Sequence, residues 1–121
     1  MHHFLTRSGI TILGVVLLVA SDSATAESLA GKVGDKRYPV NIPWGSIGGC
    51  QKAYDAYIAA AGHSAYASTV MDRTAEYFIC GVTLNAPSQK KAEALALKSC
   101  QKSVSKHKVQ LAGACSIAAS K

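Results

Sequence analysis

The sequence predicts an α+β domain. The expected architecture is a small two-layer sandwich with elements in the order α-β-β-α-β, in which two helices cover one face of a three-stranded antiparallel sheet and disulfides staple the layers. Three observations carry this expectation. Apolar residues recur at helical spacing from Cys50, strand-forming residues alternate between Glu76 and Leu84, and four cysteines stand at 50, 80, 100 and 115 without a short Cys-x-x-Cys pair.

The chain opens with a leader. Met1 to Arg7 is short and weakly basic, Gly9 to Ala20 is an almost unbroken apolar run, and Ala24-Thr25-Ala26 has the small-x-small form of a signal-peptidase site. An apolar run of about 12 residues is too short to span a bilayer as a helix, which takes about 20. Residues 1–26 therefore read as a signal peptide cleaved near Ala26, and the product as a periplasmic or secreted protein without a transmembrane segment. Residues 27–49, with Tyr38-Pro39, Ile42-Pro43, Gly45 and Gly48-Gly49, read as a Gly/Pro-rich extended arm holding at most one short strand. Trp44 is its large anchor, either plugging the edge of the core or offered to a partner. Residues 50–121 form the single α+β domain.

Within that domain Cys50, Ala53, Tyr54, Tyr57, Ile58 and Ala61 make one helical stripe, and Gly62 suits the left-handed position beyond a helix end. Ser64 to Met71 and Glu76 to Leu84 form a hairpin joined by the polar turn Asp72-Arg73-Thr74-Ala75, with Phe78, Cys80, Val82 and Leu84 on one face. Ser88 is placed to cap a second helix, whose buried face is Ala92, Leu95, Ala96, Ser99 and Cys100. Gly113 precedes a last strand, Cys115 to Ala119, with Ile117 facing the same way as Cys115.

Export and the wide cysteine gaps favour disulfides over structural zinc, which usually draws paired ligands from short knuckles. The preferred pairing is Cys50 with Cys80 and Cys100 with Cys115, each joining a helix to the sheet. The main alternative pairs Cys50 with Cys100 and Cys80 with Cys115. No cofactor and no metal site is expected.

The stretch from Cys80-Gly81-Val82-Thr83-Leu84-Asn85-Ala86 through the helix Ser88 to Cys100 and the closing Cys115-Ser116-Ile117-Ala118-Ala119-Ser120 resembles a group of small exported bacterial proteins of unknown function. In that group a hairpin precedes a Ser-x-x-x-Ala-Glu-x-x-Ala-Leu-x-x-Cys helix and a Cys-led final strand. The resemblance covers only the C-terminal half. It implies export, small size and paired cysteines, and it brings no activity with it.

Charge supplies the functional expectation. The chain carries a formal net charge of +6, and residues 88–121 hold seven lysines against Glu93 alone. Lys91, Lys98 and Lys102 fall together on the helical wheel, with Lys106 and Lys108 beyond them, and such a field steers anionic partners. The expected partner is an acidic protein or a cell-envelope component. Nucleic acid is disfavoured, because the basic zone has no arginine and no aromatic residue for stacking. The alternative is a small hydrolase or transferase using His63, which stands beside Ser64. No paired carboxylates, phosphate loop or His-Glu-x-x-His run accompanies it, so the chain is expected not to be an enzyme. The sequence leaves the oligomeric state open.

Overall fold

A computed structural model describes residues 26–38, 40, 42, 49–70, 77–108 and 110–121. The leader through Thr25, Trp44, the turn Asp72 to Ala75 and Glu76 lie outside the described residues. Six elements follow in order: β1 (Lys36–Arg37), α1 (Gly49–Ala59), β2 (His63–Ser68), β3 (Cys80–Ala86), α2 (Gln89–Lys106) and β4 (Ser116–Ser120). The strands form one antiparallel sheet in the order β1-β4-β2-β3. The α+β class and the β2–β3 hairpin match the sequence expectation.

The sheet has four strands, not three. The arm contributes the extra one, pairing Lys36 with Ser120 and Arg37 with Ala119, and the amide of Tyr38 donates to Ala118 O at 3.0 Å. Two turns lead into it, closed by Lys32 N to Leu29 O and Asp35 N to Lys32 O. Gly31 and Gly34 take the positive φ values, 80° and 94°, that these turns require. A short strand here occupies backbone groups of β4 that would otherwise form an open edge.

The expectation of both helices on one face is also corrected. Side chains of β2 alternate, so Ala65 and Ala67 pack with Ala92, Ala96 and Cys100 of α2, whereas Tyr66 packs with Tyr57 and, at the margin, with Ala53, Tyr54 and Ile58 of α1. No Cα of α1 lies within 8 Å of one in α2. The result is helix, sheet, helix. The cause is visible in β2 itself, whose residues 64–67 are all buried and therefore need cover on both faces.

The two faces are packed differently. On the α2 side the fully buried contacts are the alanines and Cys100, and Gly81 of β3 brings the helix closest: a Cβ there would stand 2.3 Å from Cys100 N and 2.7 Å from Ala96 O. On the α1 side aromatic rings fill the space, with Tyr54 edge-on to Tyr66 at a centroid distance of 5.4 Å. Each face carries one bridge. Cys50–Cys80 ties α1 to β3 and Cys100–Cys115 ties α2 to the residue before β4, with Cα separations of 5.8 and 6.1 Å. Loops of 30 and 15 residues are closed in this way, which restrains the unfolded chain by about 3 to 4 kcal/mol each.

Local signals mostly operate where expected. Ser88 caps α2, its Oγ accepting from Lys91 N at 3.1 Å. Gly62 is the exception, because the glycines with positive φ among the described residues are Gly31 and Gly34. Gly62 is needed for space instead: its amide donates to Asn85 Oδ1 at 2.9 Å, and an added Cβ would meet that oxygen at 2.8 Å. Asn85 itself takes the left-handed conformation, with φ 54°.

Candidate functional site

The outward face of α2 is built by its inward one. Burial of Ala92, Ala96 and Cys100 fixes the helix rotation, and the opposite side then presents Lys91, Lys98, Lys102 and Lys106. All four are exposed, as is Lys108 beyond the helix end. Leu95 was expected on the buried face but stands among these lysines, 37 % exposed. It lies four residues after Lys91, and the inner positions are filled instead by the partly buried Leu97 and Val104.

No carboxylate among the described residues pairs with these lysines. Among the described residues the ion pairs are Lys32 with Glu27, Lys36 with Glu93 and Arg37 with Asp35. Glu93, the acidic residue of the helix, turns to the sheet, where its Oε1 accepts from Ser120 Oγ at 2.7 Å. Lys98, Lys102 and Lys106 repeat at i, i+4, and like charges so spaced each weaken a helix by about 0.2–0.5 kcal/mol. The arrangement thus concentrates positive charge at a small cost in stability.

Lys121 does not share in it. Its Nζ is buried at the C-terminal end of α1, donating to Ala60 O at 2.5 Å, Ser28 Oγ at 2.6 Å and Ile58 O at 3.3 Å, and it sits 4.9 Å from the centre of the Tyr57 ring. Burial lowers its pKa below the ordinary lysine value. The cation supporting the α1 terminus is therefore Lys121.

Beside Lys121 lies a polar cluster that the sequence did not reveal. Asp35 accepts from Tyr57 OH at 3.0 Å, from Gly31 N at 2.5 Å and from Arg37 Nε at 2.8 Å. Burial pushes the Asp35 carboxyl up, but these donors outweigh it and hold the pKa below the usual carboxylate value. Tyr57 is pushed up, first by burial and then by its bond to Asp35. These groups satisfy one another and clamp the arm to α1. The only hint in the sequence was a lone Asp between turn glycines and a strand.

His63 is exposed, with Nδ1 3.2 Å from Lys121 O. The Ser64 hydroxyl is buried, donating to Gly62 O at 2.9 Å and accepting from Asn85 N at 3.1 Å. No hydrogen bond joins the two side chains. His107 closes α2, its Nδ1 2.7 Å from Ser103 O. All four cysteines are in disulfides, and among the described residues no group of three His, Cys, Asp or Glu side chains is placed to hold a metal ion. No helix among them is long and apolar enough to cross a membrane.

The second feature open to a ligand is the free edge of β3. Ile79 exchanges its backbone bonds with the β2 side, its carbonyl accepting from Thr69 N at 2.9 Å, so the alternate residues Cys80 and Val82 direct theirs away from the sheet. Among the described residues those outward groups have no strand partner. A cavity of about 400 Å³ runs along this edge over Tyr77 to Val82, with Cys50 and Ala53 on one wall and Ser99 and His107 on the other.

Comparison of the chain with protein-family models, curated proteins and solved structures returns no match.

Proposed function

We propose that this chain is an exported, non-enzymatic binding protein whose α2 lysine face engages an anionic partner, an acidic protein or a cell-envelope polymer. The observation that carries the reading is the row Lys91, Lys98, Lys102 and Lys106, exposed and without an ion-pair partner among the described residues, facing away from the helix's one carboxylate. Two disulfides suit an oxidising compartment, in keeping with the leader read in residues 1–26. The lysine heads are compact, solvated point charges, which favours partners recognised by charge density over planar bidentate fit.

The test uses poly-L-glutamate as the probe. Replacing Lys91, Lys98 and Lys102 together by glutamine is expected to lower affinity by about tenfold or more and to flatten its dependence on salt, with the thermal midpoint almost unchanged. Binding retained in the triple variant would overturn the reading.

A further inference from the structure

The free edge of β3 has three properties that belong together. Cys80 and Val82 point amide and carbonyl groups outward that no described strand pairs, the surface along them is hollow, and the two walls of the hollow differ in chemistry. The α1 wall is apolar, with Cys50 and Ala53 beside the Cys80 and Val82 side chains. The α2 wall has Ser99 and His107, and the helix repeat sets Lys102 three residues after Ser99 and Lys106 next to His107. No acidic residue is among its described lining.

We propose that this edge receives an extended segment of a partner protein as a fifth strand, with apolar side chains on the α1 side alternating with acidic side chains on the α2 side. The mode follows from strand physics. Main-chain bonds to Cys80 and Val82 supply affinity that does not depend on side-chain identity, while alternation of side chains across the added strand sorts them between the two walls. Charge complementarity selects the occupant. A second copy of this chain paired through the same edge would bring its own Lys102 and Lys106 toward these, and like charges oppose that arrangement. The inference rests on the proposed function and narrows its partner to a protein with an exposed acidic, β-forming segment.

The experiment uses the full disulfide-bonded protein and a capped peptide alternating glutamate and valine over about seven residues. Three comparison ligands accompany it: the same peptide N-methylated on alternate amides, a peptide with valines and glutamates in separate blocks, and poly-L-glutamate. The expected result is saturable binding of the alternating peptide, roughly tenfold slower amide exchange at Cys80 and Val82, and roughly tenfold weaker binding after N-methylation or rearrangement into blocks. Equal binding of the alternating and N-methylated peptides, without protection at Cys80 and Val82, would overturn strand addition and leave the lysine-face reading intact. Failure of poly-L-glutamate as well would remove both. Concentration-dependent protection of the same amides in the free protein would overturn the assignment in favour of self-pairing.

Discussion

Gly81→Ala is the sharpest probe of how the layers meet. Gly81 has an ordinary φ, so alanine is conformationally acceptable and only space is at issue. The new Cβ would lie 2.3 Å from Cys100 N, 2.7 Å from Ala96 O and 2.9 Å from Cys100 Cα, whereas ordinary contact begins at 3.4 Å. All three are backbone atoms that cannot rotate aside, so the turn of α2 from Ala96 to Cys100 must retreat by about 1 Å. A gap of that size forfeits about a quarter to a half of the dispersion attraction at each affected contact. Overpacking costs of this kind run to about 3 kcal/mol, and the reduced freedom of the unfolded chain returns about 0.4–1 kcal/mol. The expected net loss is about 2–2.5 kcal/mol, equivalent to roughly 8–20 °C in midpoint for a domain of this size. Gly49→Ala is the control, since its Cβ would meet nothing within 4 Å, and it should be neutral or stabilising by up to about 1 kcal/mol. Urea unfolding of the disulfide-intact proteins, followed by far-ultraviolet circular dichroism, measures both. A Gly81→Ala protein within about 0.5 kcal/mol of the parent, with an unchanged urea dependence, would refute the close approach of α2 to β3.

Two further stability predictions follow from single groups. The Tyr66 hydroxyl is buried without a hydrogen-bond partner among the described residues, and burial pushes its pKa up to about 12, so Tyr66→Phe should stabilise the fold by about 1 kcal/mol; a loss of stability in the same urea assay would show that the hydroxyl is satisfied. Asp35 has a folded pKa below its ordinary 3.8, so the stability it contributes is complete above about pH 4 and is lost as pH falls through the lower folded value. Asp35→Asn should therefore be less stable than the parent at pH 7, with the difference shrinking below pH 4, and a constant difference across that range would count against the clamp.

The sequence was most legible where a local pattern had one physical outlet. The stripe from Cys50 to Ile58 has a single way to bury Tyr57, Ser88 has an orphan amide three residues ahead of it, and the chosen cysteine pairs each join a helix to the sheet side. It was least legible where an outcome depends on partners distant in sequence. The number of layers is set by β2, in which small Ala65 and Ala67 alternate with large Tyr66, a pattern that says both faces are occupied but not by which helix. Strand β1 has only two residues and little propensity of its own; it exists because β4 offers an edge and Asp35 ties the arm to Tyr57. The lysine row was visible from spacing alone. The diversion of Lys121 from that basic zone was not, since its partners lie as far back as Ser28.

Amide chemical-shift mapping of the labelled protein titrated with poly-L-glutamate tests the proposed binding through the outward face of α2. Shifts are expected to concentrate at Lys91, Leu95, Lys98, Lys102 and Lys106 and to fade as salt is raised. Shifts centred instead on the arm around Lys32 and Lys36, with α2 unmoved, would contradict it.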